Sequence, residues 1–140
     1  MLRRAEHVWQ SRDREQGSAV VEFSLISILL IFLLFGVLQV AVFFYLRNVV
    51  MAQASASARY AAAANIPAGA AAPRAKELIA ATLGSSVANS LNCTARGAID
   101  APSGLQVVVV HCSGNIRSIF LPVGALLNLD VTATALKEPT

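Results

Sequence analysis

The chain has 140 residues, of which 56% are hydrophobic and only 14% are charged, and its net charge is +3. Soluble chains average about 45–50% apolar and about 25% charged residues, so this composition is not that of an ordinary soluble protein. The small, scattered positive charge does not indicate nucleic-acid binding. The length allows one small domain and an additional segment.

The apolar residues are concentrated between Ala19 and Leu46, where the strongly polar side chains are Glu22, Ser24, Ser27 and Gln39. A helix over this run is roughly 42 Å long at about 1.5 Å per residue, whereas about 20 residues cross a bilayer. The sequence therefore predicts a membrane-spanning helix, because a core helix of a soluble protein is rarely apolar on all faces over such a length. The run is also about twice too long for the apolar core of a secretory signal. Ala56-Ser57-Ala58 has the residue types of a signal cleavage site, but it lies beyond Arg47, well past the apolar run.

The charged residues that flank this run predict its orientation. Four arginines and three acids precede Gly17, and few basic residues follow soon after the span. Short basic flanks stay in the cytoplasm. We therefore expect a single-pass protein of the cytoplasmic membrane, with the N-terminus inside and the C-terminus outside.

We predict four segments in chain order: a leader over 1–17, a long helix over 18–65, a linker over 66–73 and an outer domain over 74–140. The helix is expected to stop at Ile66-Pro67, because the residue before a proline leaves the helical region. Apolar residues at helical spacing predict a second, amphipathic helix from Arg74 to Leu91.

The remainder of the chain has the pattern of β-strands. A β-branched run at 105–110 predicts a strand, Ser113-Gly114-Asn115 predicts a turn, and 116–121 would return as the hairpin partner before a break at 122–124. Residues 129–136 alternate between apolar and polar and predict a half-exposed strand. The expected fold class is α+β: a long transmembrane helix, then a small extracytoplasmic domain with one helix and a short antiparallel sheet.

The two cysteines of the chain, Cys93 and Cys112, both fall in the predicted outer domain. A disulfide there would close a loop of about 20 residues and stabilise a small domain by about 3 kcal/mol in the loop-entropy treatment. A metal site formed with His111 is the competing interpretation, but adjacent ligands in a strand point to opposite faces and no fourth ligand is evident. Two free thiols are the remaining alternative.

Catalytic patterns are not recognisable in the sequence. His7 and His111 have no matched nucleophile or acid nearby, and no glycine-rich phosphate loop is present. We therefore expect neither enzymatic activity nor a cofactor.

Gly17-Ser18, the carboxylate-aromatic pair Glu22-Phe23 and the long apolar helix after them resemble a type IV prepilin signal. The form of this signal is similar to that of the tight-adherence (Tad/Flp) pilus system. Ala58-Arg59-Tyr60 and the outer domain resemble the TadE-like minor pilins or pseudopilins of that system. Two features depart from the pattern: acids dilute the positive charge of the leader, and Phe23 stands where the major pilins usually carry Tyr.

The resemblance implies cleavage between Gly17 and Ser18 by a membrane aspartyl prepilin peptidase. It also implies that Glu22 and Phe23 make assembly contacts, with Glu22 pairing with the new terminal amine of a neighbouring subunit. The alternative for Glu22 is an interfacial residue whose carboxylate snorkels to the headgroups. The implied partners are this peptidase, other Tad pilins and pseudopilins, the inner-membrane assembly platform and the lipid bilayer. The alternative is a generic single-pass protein whose outer domain binds a partner or the cell wall.

Overall fold

The computed structural model describes the backbone of residues 6–117 and 126–139 and the side chains of residues 18–116 and 128–139. The elements in chain order are helix α1 (Glu6–Ala62), a 3-10 turn (Ala68–Ala70), helices α2 (Ala71–Leu83) and α3 (Ser85–Ser90), and strands β1 (Leu91–Ile99), β2 (Gln106–Arg117) and β3 (Leu126–Leu136). The architecture is α+β, as predicted, with a long N-terminal helix followed by helices and an antiparallel sheet. The chain divides into two compact units, 1–38 and 39–140.

Helix α1 contributes one continuous stripe of side chains to the core of the second unit. The stripe consists of small and β-branched residues that are fully buried and lie three or four positions apart, namely Val50, Ala54, Ser57, Ala58 and Ala61. This spacing keeps them on one face of the helix. Ser57 satisfies its buried hydroxyl by donating to the carbonyl of Ala54, 2.8 Å away. The alanine-rich sequence is therefore the packing face of the helix as well as a good helix former.

Within the described residues the sheet has three antiparallel strands in the order β1-β2-β3. Cys93 lies opposite Cys112, which in turn lies opposite Val131. One face packs into the core with α1 and α2, and its buried members are Leu91, Cys93, Val108, Val110, Cys112, Leu129, Val131 and Ala133. The alternation predicted for residues 129–136 is confirmed, because Leu129, Val131 and Ala133 are buried and the residues between them are exposed.

The turn predicted at Ser113-Gly114-Asn115 is wrong, because β2 runs through it without a break. Gly114 pairs with Leu91 on one side and with Leu129 on the other. A Cβ atom built on Gly114 would lie 2.3 Å from the carbonyl oxygen of Ser90. The glycine therefore permits a close approach between backbones rather than a reversal of the chain.

The first hairpin instead joins β1 to β2, and β1 was not predicted. Its connection holds Gly104, with a φ of +68°, and the carboxylate of Asp100 accepts hydrogen bonds from the backbone N–H and hydroxyl of Ser103, at 3.3 and 2.6 Å. Of the hairpin partner predicted at 116–121, the first two residues belong to β2. Residues 118–121, and the break expected at 122–124, lie outside the described residues.

The helix predicted from Arg74 to Leu91 is two helices that meet at Gly84. Gly84 has a φ of +91°, which ends α2 and precedes α3. Helix α2 begins at Ala71, inside the segment predicted as a linker, and Leu91 begins β1 rather than ending a helix. Helix α1 begins at Glu6 and ends at Ala62, so it is longer at its N-terminal end and shorter at its C-terminal end than predicted.

The close approach at Gly114 predicts a large effect of a single methyl group. We expect Gly114→Ala to destabilise the domain by about 1–3 kcal/mol, because the added Cβ meets backbone atoms that cannot move independently. Thermal unfolding of the detergent-solubilised full chain would measure the change. Gly69→Ala is the matched control, since a Cβ at Gly69 meets no atom within 4 Å. Equal melting temperatures for the two variants would contradict this account of Gly114.

Candidate functional site at the N-terminal helix

The predicted processing segment, from Gly17 to Phe23, lies within α1, and Gly17 does not interrupt the helix. Ser18 and Glu22 are four residues apart, so they lie on the same side of the helix, about 6 Å apart along its axis. Glu22 is exposed and the side chain of Phe23 is 73% exposed. The helical geometry therefore places the predicted cleavage position and the carboxylate one turn apart.

The helix that follows this segment is apolar and exposed on all sides. Its exposed large side chains between residues 20 and 34 are Val20, Val21, Phe23, Leu25, Ile26, Ile28, Leu29, Leu30, Ile31, Phe32, Leu33 and Leu34. In the described part of the chain, the helix from Ser18 to Ala62 is long and apolar enough to cross a membrane, and little of its most apolar section is buried. A core helix of a soluble domain would bury these side chains, so the helix indicates single-pass membrane anchoring.

Glu22 is the one charged side chain between Ser18 and Leu46. The hydroxyl of Ser24 is satisfied within the helix, since it donates to the carbonyl of Val20 at 2.8 Å. An ionised carboxylate cannot donate a hydrogen bond to a backbone carbonyl of its own helix, and leaving it unpaired in an apolar environment is costly. If this part of the helix lies among apolar groups, an ion pair or hydrogen bond from outside the helix would stabilise the carboxylate.

The two cysteines form a disulfide between directly opposite residues of β1 and β2. The Cα atoms of Cys93 and Cys112 are 4.1 Å apart, and both side chains are buried in the inner face of the sheet. The bond links strands that already pair, so it fixes their register as well as limiting the unfolded chain.

The metal alternative fails on the geometry of the strand. His111 lies on the face of the sheet opposite to Cys112, and its Nε2 is 3.1 Å from Oδ2 of Asp130. This outer face has an open cavity of about 350 Å³, whose polar lining residues are Thr94, Arg96, His111 and Thr132. Among the residues that the structure describes, no group of three histidine, cysteine or acidic side chains could hold a metal ion.

Sequence reasoning missed Lys137, which joins the C-terminal end of α1 to the end of β3. Its ammonium group donates to the carbonyls of Ala61 at 2.9 Å and Ala63 at 2.7 Å, and also to that of Ile66. The last carbonyls of a helix have no partner within the helix, and they carry its negative dipole end. The following residue extends the connection, because the backbone N–H of Glu138 donates to the carbonyl of Ala62 at 2.9 Å.

Helix α2 contacts α1 through side chains as well. The guanidinium of Arg74 in α2 lies 5.8 Å from the ring centroid of Tyr60 in α1. Within α2, the same guanidinium forms an ion pair with Glu77 at 2.7 Å. Gln53 donates to the hydroxyl of Thr82 at 3.3 Å. These contacts hold α2 against the second half of α1, so the helix is part of the folded domain along its C-terminal turns.

The N-terminal helix matches a known family of proteins. Residues 17–59 match the family model described as TadE-like protein. The match begins at Gly17 and covers the apolar run and most of the alanine-rich turns, so this segment of the chain is similar to TadE-like proteins. No curated protein and no solved structure is significantly similar to the chain.

The contacts of Lys137 predict a measurable contribution to stability. We expect Lys137→Met, which keeps most of the aliphatic length, to destabilise the domain by roughly 1–3 kcal/mol, because backbone carbonyls at and just beyond the end of α1 lose a charged donor. Lys76→Met is the control, since Lys76 is exposed in α2. Unfolding of both full-length variants in the same detergent would compare them. A loss no larger for Lys137→Met than for the control would show that the ammonium group contributes nothing.

Proposed function

We propose that this TadE-like chain is a minor pilin or pseudopilin that takes part in assembly of a Tad/Flp-type pilus. Its role is structural rather than catalytic: a prepilin peptidase removes residues 1–17, and the mature subunit packs against other pilins through α1. The partners are the peptidase, the other pilins and pseudopilins, and the assembly platform of the inner membrane. The mature N-terminus would begin at the inner side of the membrane, with the domain at residues 74–140 outside.

The observation that carries this proposal is the extent of the family match. It starts at Gly17, the residue before the proposed scissile bond, and it ends at Arg59, within the part of α1 that packs against the outer domain. Over the first half of this region the helix is exposed and apolar on every side. Such a helix suits both states that a pilin occupies, since lipid covers it before assembly and neighbouring helices cover it afterwards.

The chemistry of cleavage explains the residues at the site. Gly17 has no side chain, so the peptidase can approach the backbone closely. Hydrolysis of the bond between Gly17 and Ser18 leaves an α-amino group on Ser18 that is charged near neutral pH. Glu22 of one subunit would then pair with the amine of its neighbour, and the cost of an unpaired carboxylate among apolar helices would favour one axial register.

The alternative function is that of a single-pass membrane protein whose outer domain binds a partner or the cell wall. The polar cavity on the outer face of the sheet, beside Arg96 and His111, is the feature that favours it. The two functions differ in the fate of the leader. A pilin loses residues 1–17, whereas a protein that acts only through its outer domain has no need to be cleaved there.

Cleavage is testable by mass spectrometry. We expect coexpression with a Tad-type prepilin peptidase to yield an intact mass that begins at Ser18. Gly17→Leu should block this cleavage, because the leucine side chain keeps the peptidase away from the backbone. Gly36→Leu is the matched control, since a Cβ at Gly36 meets no atom within 4 Å, and it should be processed normally. A mature chain that starts at Met1 or after Ala58 would overturn the proposed processing.

The role of Glu22 is testable separately from cleavage. We expect Glu22→Ala and Glu22→Gln to insert and to be cleaved at least in part, but not to enter filaments or crosslink to other pilins through α1. Gln fails as Ala does because the pairing needs charge as well as a hydrogen bond. Glu77→Gln, the same change in an exposed residue of the outer domain, is the control. Normal incorporation of both Glu22 variants would leave α1 to associate by apolar packing alone.

A further inference from the structure

The last two turns of the apolar run, residues 39–46, face two different environments. On one side Gln39 is buried, and Phe43 and Leu46 pack against the core of the domain. On the other side Phe44 and Tyr45 are 52% and 58% exposed. Their neighbour Val40 is exposed as well. Residues 39–46 are therefore apolar in sequence like the residues before them, but only one side of this part of the helix is buried.

The buried side of these turns continues directly into the packing stripe of α1. Gln39, Phe43 and Leu46 precede Val50 and Ala54 at spacings of three or four residues, so all five lie on one face. The core of the domain thus extends into the apolar run. No spacer separates the folded domain from the apolar helix.

The length of the remaining apolar segment matches a bilayer. Residues 19–38, which precede the domain, would extend about 30 Å as a helix. This is about the thickness of the hydrocarbon core of a bilayer. If these residues fill the hydrocarbon core, residues 39–46 fall in the layer of lipid headgroups.

We propose that Val40, Phe44 and Tyr45 form an interfacial ridge that lies in the headgroup layer, so that the folded domain sits directly on the membrane surface. The proposal rests on single-pass anchoring and does not depend on the role in a pilus. Tyrosine is enriched at this depth, because its ring is apolar and its hydroxyl reaches water. Arg47 follows at once and is exposed, where a guanidinium can bind lipid phosphate.

Lipid fits the ridge better than a second protein for two reasons. The ridge continues, along the chain, a segment whose large apolar side chains from Val20 to Leu38 are exposed on every side of the helix. From Val40 through Phe44 and Tyr45 to the adjacent Arg47, the exposed side chains also change from aliphatic to aromatic to cationic. That order follows the polarity gradient from hydrocarbon to headgroup.

Tryptophan scanning of the full chain in vesicles tests the proposal. Trp9 is the one tryptophan of the chain, so Trp9→Phe provides a silent background for Leu30→Trp, Phe44→Trp and Met51→Trp, all at exposed positions of α1. Each variant is reconstituted at low protein density in phosphatidylcholine vesicles. The probes are lipids brominated near the headgroup or near the chain end, and iodide in the water.

We expect the chain-end bromine to quench the tryptophan at position 30 most strongly, the headgroup-proximal bromine to quench that at 44, and iodide to quench that at 51. Quenching of position 44 by iodide alone would overturn the proposal, because the domain would then stand clear of the bilayer. Protection of position 44 from both probes would overturn it in favour of a protein partner. Failure of lipid to quench position 30 would overturn the anchoring on which the proposal rests.

Discussion

One helix has to meet two opposite requirements, and the rest of the structure depends on how α1 does so. Between residues 18 and 38 it is apolar on all sides, which suits lipid or other helices. Between residues 50 and 61 only one face is buried, and that face consists mainly of alanine. The two requirements therefore apply to successive parts of one helix, α1.

The alanine face sets the architecture of the domain. Alanine side chains bury little apolar area, so the larger side chains of the core come from α2 and from the inner face of the sheet, with Ile79, Leu91 and Leu129 among them. A core this small gains from additional links. The disulfide supplies one between β1 and β2, and Lys137 supplies another between β3 and the end of α1. The disulfide acts within the sheet, whereas Lys137, together with the backbone N–H of Glu138, ties the end of the sheet to the end of α1.

What could be predicted from the sequence was determined by local patterns. The long apolar run and the alternation in residues 129–136 follow from the residues in place, and the structure has a helix and a strand there. The stop expected at Ile66-Pro67 comes earlier, because α1 ends at Ala62. The errors at Gly84 and Gly114 have a common cause, since a glycine can end a helix, form a turn or permit a close contact. Only the neighbours in space decide among these, and the contact of Gly114 with Ser90 comes from another element.

Lys137 and β1 were missed for a related reason. The carbonyls that Lys137 binds are more than 70 positions away in the sequence, so a local sequence pattern cannot predict the contact. Strand β1 has weak alternation in its second half, where Arg96, Gly97 and Ile99 are all exposed, and it becomes a strand because β2 pairs with it. The candidate site differs, because its residues are close in the sequence: Gly17, Ser18 and Glu22 lie within about one and a half turns of a single helix. Their arrangement therefore follows from the geometry of the helix alone.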